Sequence, residues 1–341
     1  MFPKPYLIFV GDVPYSTATK TALGVRRWAP QDCVGQWRLS RDAVDLELPD
    51  FDARAAAAAG ARSLLLGIAP IGGQLPTAWI PYCIEALEHG LDLVNGLHVK
   101  LADIPEIADA ARRLGRSLHD VRYNRQKFAV ATGRKRTGMR LLTVGTDCAQ
   151  GKKYTALALT QALRARGVAA DFRATGQTGV MISGSGIVLD TVVADFVAGA
   201  AETLSPDAAD DHWDVIEGQG AIFHPAYAGV TLSLLHGSQP DALVLCHDPT
   251  QREIGHYPGF ALRSLRETMQ MYRSLARVTN PRAQFVGISL NTCRLSDEMA
   301  RRQCQNLAAE HGLPCFDPLR FDSREVVDRV LALVNACVLT D

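Results

Sequence analysis

A glycine-rich loop between an apolar strand and a helix is the strongest chemical signal in the sequence. The chain passes from the predicted strand Arg140–Val144 into a loop with a glycine near each end, and Gly151-Lys152 opens the following helix. In such a loop the backbone N–H groups and the helix N-terminus point at an anion, and a lysine adds positive charge. The residues predicted to contact a phosphate-bearing ligand here are Gly145, Thr146, Asp147, Cys148, Ala149, Gln150, Gly151, Lys152, Lys153 and Tyr154.

The loop departs from the common P-loop pattern GxxxxGK[ST] in two ways. It is one residue longer between the glycines, and Lys153 stands where a serine or threonine hydroxyl would hold Mg²⁺. A site without that hydroxyl favours a ligand whose phosphates are bound but not cleaved. No metal is therefore expected.

A second polar, glycine-rich loop follows the next predicted strand of the same half. Two glycines, two threonines and a glutamine are more than a plain turn needs, so this loop is predicted to contact the substrate. The residues assigned to it are Arg173, Thr175, Gln177, Thr178 and Gly179.

Titratable and amide side chains end further strands. Glu217 closes the predicted strand Asp214–Glu217, and His224 follows it closely. In P-loop folds a carboxylate at this position usually faces the phosphates or their metal. His247 and Asn291 end two later strands, where a purine could be recognised. Glu217, His224 and Lys153 are the predicted catalytic residues.

Strands alternating with helices must position these loops. Such alternation favours βαβ units and parallel sheets, in which ligands bind at the carboxyl ends of the strands. In the amino-terminal part the predicted strands are Tyr6–Val10, Ser63–Ile68, Asp92–Asn95 and Ser117–Val121, with helices at Pro81–His89 and Ile104–Leu114. In the carboxyl-terminal part they are Arg140–Val144, Ala170–Ala174, Asp214–Glu217, Ala242–Cys246 and Gln284–Leu290.

Helix signals complete the carboxyl-terminal part. A helix is predicted from Lys152 to Arg166, and Ser296 and Ser323 are expected to cap two later helices. The polar, basic stretch Tyr123–Arg140 is interpreted as a linker, which places the predicted domains at 1–135 and 136–341.

Composition excludes several classes of protein. The 341 residues (37.0 kDa) are 47% hydrophobic and 21% charged, as in globular enzymes. Because 36 basic residues balance 36 acidic ones, a general nucleic-acid binder is not expected. No apolar run reaches membrane-spanning length and the amino terminus does not resemble a signal peptide. Eight scattered cysteines indicate a reduced cytoplasm, without a disulfide framework or structural zinc.

Several motifs together resemble one known family. GTDCAQGKKYTALAL, RATGQTG, DVIEGQGAIFHP, QPDALVLCHDPT and VGISLNT occur in this order. They are similar to motifs of a two-domain bacterial and archaeal family linked to N-acetylation of D-glutamate and related D-amino acids. Amino-terminal pieces agree, among them NGLH at 95–98 and LADIP at 101–105, so the resemblance covers nearly the whole chain.

The resemblance implies an α/β fold with a Rossmann-like amino-terminal domain and a P-loop-like, three-layer carboxyl-terminal domain. It also implies acetyl-CoA as donor and D-glutamate as acceptor. The carboxyl-terminal domain is similar, more distantly, to dethiobiotin synthetase, whose loop ends Gly-Lys-Thr. The amino-terminal domain is expected to complete the acceptor pocket or to build a homo-oligomer.

Acetyl transfer assigns roles to the predicted residues. Coenzyme A carries a diphosphate that the loop could hold, and Glu217 or His224 could take the proton of the acceptor amine. Loop N–H groups or Lys153 could stabilise the oxyanion. Arg173 and the Thr175–Gly179 loop could hold the acceptor's carboxylates. An acetyl-cysteine relay through Cys148 is a further hypothesis.

Two other functions remain open at the level of sequence, and a third is disfavoured. One is an ATP- and Mg²⁺-dependent ligase or kinase like dethiobiotin synthetase, and another is a non-catalytic nucleotide-binding protein. An NAD-dependent oxidoreductase is disfavoured because the first strand is followed by Gly11-Asp12-Val13-Pro14 and not by GxGxxG.

Overall fold

The computed structural model describes residues 2–69, 72–123 and 126–338, apart from the side chains of Thr17 and of residues 334–338. Asn124 and Arg125, which belong to the predicted linker, lie outside the described residues. The chain divides into two compact units. One comprises Met1–Arg125 and Gln177–Thr191, and the other comprises Gln126–Gly176 and Val192–Asp341.

Eleven strands and eleven α-helices are described, besides short 3-10 turns. The strands are β1 (Tyr6–Gly11), β2 (Cys33–Arg38), β3 (Ser63–Leu66), β4 (Asp92–Asn95), β5 (Leu118–Asp120), β6 (Met139–Gly145), β7 (Ala170–Arg173), β8 (Trp213–Ile216), β9 (Ala242–His247), β10 (Gln284–Leu290) and β11 (Cys315–Phe316). The helices are α1 (Lys20–Trp28), α2 (Ala53–Ala58), α3 (Ile80–Glu88), α4 (Pro105–Leu114), α5 (Lys152–Ala165), α6 (Gln177–Ser183), α7 (Val197–Leu204), α8 (Ala228–Ser238), α9 (Leu265–Ala276), α10 (Asp297–His311) and α11 (Arg324–Val338).

The first unit is built on a five-stranded sheet. Its strand order is β2-β1-β3-β4-β5 and all pairings are parallel. The strand β1 is buried along its whole length, as is β3, which explains their continuous apolar sequences. This is the strand order of flavodoxin-like doubly wound sheets.

The second unit is built on a six-stranded sheet with the order β11-β10-β9-β6-β8-β7, again entirely parallel. From the central strand β6 the chain first builds β7 and β8 on one side, then β9 to β11 on the other. Strand order therefore reverses between β6 and β9, and such a switch point opens a crevice at the carboxyl ends of the strands. The glycine-rich loop follows β6 and so lies at this crevice.

The predicted fold class is confirmed, because both sheets are parallel and strands alternate with helices. Every predicted strand is present to within two residues of its predicted ends. The side chain of Ser296 accepts a hydrogen bond from the N–H of Met299, so it caps α10 as predicted. No strand was predicted where β2 and β11 lie. The predicted boundary near residue 135 falls between β5 and β6, where the described residues form neither helix nor strand.

The predicted loop after β7 is partly helical. Gln177, Thr178 and Gly179 form the first turn of α6 and not a loop, and their contact with substrate stays a prediction. The turn is helical because it packs in the first unit: the hydroxyl of Thr178 lies 3.0 Å from that of Thr21 on α1. Gly96 has no side chain, and a Cβ there would lie 3.0 Å from the Gln177 side chain.

None of the helices in the part of the chain that the structure describes is long and apolar enough to cross a membrane.

Candidate active site

The glycine-rich loop joins the end of β6 to the start of α5. Two of its residues adopt left-handed backbone conformations, Ala149 with φ +56° and Gly151 with φ +95°. The turn leaves the N–H groups of Ala149, Gln150 and Gly151 without an acceptor among the described residues. Three such donors at a helix N-terminus can bind an anion.

Lys152 points back into this loop. Its side chain is buried, and Nζ donates a hydrogen bond to the carbonyl oxygen of Asp147 at 2.7 Å. Burial lowers the pKa of the Lys152 ammonium, whereas nearby Cys148, Cys246 and Asp147 oppose that shift. An ammonium has three hydrogens, so Nζ keeps the capacity to bind an anion in the loop.

A segment after β9 holds the loop in shape. The carboxylate oxygen Oδ2 of Asp147 accepts hydrogen bonds from the N–H of Gly255, at 2.8 Å, and from the Gln251 side chain. Gln251 also accepts a hydrogen bond from Gln150 at 2.7 Å. Sequence analysis missed Gln251 and Gly255, because nothing in the sequence nearby links them to a loop more than a hundred residues away. Asp147 thus braces the loop.

The first threonine hydroxyl after the loop contacts other groups and is not placed to hold a metal. Thr155 is the first threonine after Lys152, and its Oγ1 donates to the carbonyl of Gly151 at 3.1 Å and lies 2.7 Å from Oγ of Ser289. Thr155 is fully buried beneath the loop. It does not replace the serine or threonine that Lys153 has displaced.

Glu217 follows β8 and lies beside the loop. Its side chain is 5% exposed, and Oε2 accepts hydrogen bonds from the N–H groups of Thr175 (3.0 Å) and Gly176 (3.1 Å). Burial raises the pKa of the Glu217 carboxyl; the charge of Lys153 is the largest of the influences that oppose this rise. Both donors bind one oxygen, which leaves Oε1 for a substrate proton.

The backbone next to Glu217 is tightly packed. A Cβ on Gly218 would lie 1.7 Å from the carbonyl oxygen of Thr143 in β6, so only glycine lets the two strands approach this closely. The same Cβ would lie 3.0 Å from Cδ of Lys152. Glu217 and the lysine of the loop therefore belong to one small site.

His224 is held in one tautomer. Its Nδ1 accepts hydrogen bonds from the N–H groups of Ala226 (3.0 Å) and Tyr227 (3.2 Å), so the neutral ring carries its proton on Nε2. Nε2 lies 3.7 Å from Oδ1 of Asp147, and burial lowers the pKa of the ring. The arrangement suits a hydrogen-bond donor better than a base, because the basic nitrogen is already occupied.

The ligand atoms of Asp147, Cys148 and His224 lie within 4.8 Å of one another. A metal ion bound at Nε2 of His224 would displace the ring proton while Nδ1 still accepts two N–H groups. Metal-bound histidines normally donate a hydrogen bond from the second nitrogen. The second-nitrogen contacts of His224 therefore disfavour a metal at this cluster.

Other predicted residues lie around or away from this centre. Thr175 is buried beside Glu217, and its hydroxyl donates to the Glu217 carbonyl at 2.6 Å. Thr146 lies 3.0 Å from Nδ1 of His247, whose pKa burial lowers to about 4. Asn291 donates its N–H to the His247 carbonyl at 2.9 Å. The predicted purine-facing residues thus adjoin the loop.

Arg173 is engaged elsewhere. Its Nε donates to Oδ1 of Asp214 at 2.7 Å, and Asp171 is 3.7 Å away. Asp214 precedes Glu217 by three residues, or about 10 Å along a strand. The role of Arg173 in carboxylate binding stays a prediction. Gln177, Thr178 and Gly179 belong to α6 and to the first unit.

Tyr272 on α9 joins two of the loops, and sequence analysis missed it. Its fully buried hydroxyl donates to the carbonyl of Gly145 at 2.9 Å and accepts from the N–H of Ile222 at 3.0 Å.

We expect Tyr272→Phe to lower the free energy of unfolding by about 1–3 kcal/mol, because it leaves two backbone groups without a partner. Thermal melting monitored by circular dichroism measures the change. Tyr227→Phe is the matched control, since that side chain is 50% exposed. Equal melting temperatures for the two variants would contradict the proposed bracing role.

The fold and site define a P-loop-type α/β protein whose loop lacks the metal-holding hydroxyl. Residues 127–327 match the family model of the domain of unknown function DUF1611_C, described as a P-loop domain. Residues 32–124 match DUF1611_N, described as a Rossmann-like domain. The chain belongs to the DUF1611 family.

Full-length relatives agree with this assignment. The chain is 46% identical to a D-glutamate N-acetyltransferase of Tritonibacter scottomollicae, over 98% of this chain and 100% of the relative. It is 44% identical to a protein of the same name from Pseudoalteromonas sp., over 98% of both. A crystal structure of a DUF1611 family protein from Anabaena variabilis superposes with a TM-score of 0.88 at 35% identity, over 97% of this chain and 100% of that one.

Proposed function

We propose that this protein transfers the acetyl group of acetyl-CoA to the α-amine of D-glutamate. The observation that carries the proposal is the identity of 46% and 44% to two relatives named D-glutamate N-acetyltransferase, each matched over at least 98% of its length. The site supports acyl transfer, because it combines a buried carboxylate with two lysines and no hydroxyl at the metal-holding position.

Glu217 is the proposed general base. The α-ammonium gives one proton to Oε1 of Glu217, and the amine nitrogen then attacks the thioester carbonyl carbon. The carbon–sulfur bond breaks, the thiolate of coenzyme A leaves with the second proton of the attacking nitrogen, and Glu217 releases its proton to solvent. A base whose pKa is raised towards the working pH suits this step.

Lys153 is the proposed stabiliser of the oxyanion. Lys153 stands in the first turn of α5, directly after Lys152, and its charge opposes the rise in the pKa of Glu217. Negative charge develops on the thioester oxygen as the amine attacks, and a cation next to it lowers the barrier. His224 can assist as a donor from Nε2 through its fixed tautomer.

A thiol-release assay tests the function. Purified protein with acetyl-CoA is expected to release coenzyme A when D-glutamate is added, and N-acetyl-D-glutamate is expected by mass spectrometry. Release should be slower with L-glutamate and with an amine that lacks the α-carboxylate. Faster turnover of either, or turnover that requires ATP and Mg²⁺, would contradict the proposal.

A further inference from the structure

The anion-binding loop and the proposed base share one site. Lys152 Nζ lies inside the loop, and a Cβ on Gly218, the neighbour of Glu217, would lie 3.0 Å from Lys152 Cδ. A Cβ on Gly176, whose N–H binds Glu217, would lie 3.3 Å from Oε1 of that carboxylate. An anion held at Lys152 therefore lies near the segment Glu217–Gly218.

Coenzyme A cannot place its diphosphate and its thioester at the same point in an extended conformation. About thirteen bonds separate the diphosphate from the sulfur. At roughly 3.3–3.6 Å for every three backbone-like bonds, the extended arm spans about 15 Å. If the loop held the diphosphate, the arm would have to fold back on itself to bring the acetyl group to Glu217.

The charges of the site also favour a different anion. Asp147 and Glu217 are carboxylates, and Lys152 and Lys153 balance them. An amino acid fits better, because its ammonium is only two bonds from its carboxylate carbon. The carboxylate can enter the loop while the ammonium faces Glu217.

We propose that the loop Gly145–Lys152 binds the α-carboxylate of the amino-acid acceptor, and that the nucleotide of coenzyme A binds elsewhere. The N–H groups of Ala149, Gln150 and Gly151 and the ammonium of Lys152 hold the carboxylate. The α-amine then lies next to Glu217 Oε1, where its proton must go. This inference rests on the proposed function and names the ligand of its loop.

Inhibition by inorganic pyrophosphate tests the proposal on the unmodified enzyme. Pyrophosphate that enters the loop is expected to compete with D-glutamate and to be non-competitive with acetyl-CoA. Glutarate, a dicarboxylate without an amine, is expected to give the same pattern. Competition of pyrophosphate with acetyl-CoA instead, or no inhibition by either anion, would overturn the proposal.

The variant Lys152→Met gives a second test, because methionine keeps the apolar stem and removes the charge. We expect the KM for D-glutamate to rise at least tenfold while the KM for acetyl-CoA changes less than twofold. Lys127→Met is the matched control on an exposed lysine and is expected to leave both constants unchanged. A tenfold rise confined to acetyl-CoA would overturn the proposal.

Direct binding separates this inference from the proposed function. Titration calorimetry with D-glutamate and with 3′,5′-ADP, which carries the adenosine and two of the three phosphates of coenzyme A, needs no turnover. Weaker D-glutamate binding and unchanged 3′,5′-ADP binding in Lys152→Met support the loop assignment even if wild-type protein fails to acetylate D-glutamate. The reverse pattern would overturn it while leaving the acetyltransferase function intact.

Discussion

Replacing Glu217 with glutamine is expected to lower kcat by about 10²–10⁴ with little change in the KM for acetyl-CoA. Glutamine keeps an oxygen that accepts the N–H groups of Thr175 and Gly176, so the loop geometry is preserved. It cannot take the proton of the α-ammonium. Steady-state kinetics with thiol detection measures the loss. Glu298→Gln, on the exposed first turn of α10, is the matched control and should leave kcat unchanged.

The pH dependence of kcat tests the same role of Glu217 as general base. Burial raises the pKa of Glu217, so its ionised form is lost as pH falls through that raised value. We therefore expect an acid limb in the pH profile of wild-type kcat, placed above the ordinary carboxyl range. The limb should be absent from the residual activity of Glu217→Gln.

Stability separates a base from a structural brace. A carboxyl whose pKa is raised by folding contributes stability below its unfolded pKa and loses it as pH rises through the folded value. At neutral pH the neutral glutamine should therefore melt no lower than wild type. A large drop in melting temperature together with a raised KM would indicate a brace instead. Near-normal kcat in Glu217→Gln, with kcat lost in His224→Ala, would assign the base to His224.

Gly218→Ala is expected to cause the largest loss of stability. A Cβ at this position would lie 1.7 Å from the carbonyl oxygen of Thr143, a backbone atom of β6 that cannot move away cheaply. The N–H of Gly218 also donates to Oγ1 of Thr143 at 3.0 Å, so displacement would break that bond. We expect a loss of more than about 4 kcal/mol in the free energy of unfolding, at the extreme of single substitutions.

Gly229→Ala provides the control for that substitution. Gly229 lies in α8, is exposed, and a Cβ there would meet nothing within 4 Å. Alanine favours a helix over glycine by about 0.5–1 kcal/mol, so this variant should be as stable as wild type or slightly more so. Chemical denaturation of both variants measures the contrast. A Gly218→Ala protein with wild-type stability and activity would contradict the close approach of β8 to β6.

The sequence by itself determined the elements and the loop. Continuous apolar runs such as that of β1 predict buried parallel strands, and a glycine-lysine pair before a helical stretch predicts an anion-binding turn. These signals are local: each depends on residues within a few positions of one another. The signal at Lys153, a lysine where the P-loop pattern has serine or threonine, is equally local. The prediction of a loop without a metal-holding hydroxyl therefore needed no tertiary structure.

Only the tertiary structure decided which residues hold the side chains of the candidate site in place, because those contacts join segments that are distant in the sequence. Gln251 and Gly255 hold Asp147 across the switch point of the sheet, and no local pattern marks them for that task. The backbone N–H groups of Thr175 and Gly176, which follow β7, hold the Glu217 carboxylate in place. Gln177 joined a helix because α6 packs within the first unit, where tertiary contacts outweigh the loop-like composition of its sequence.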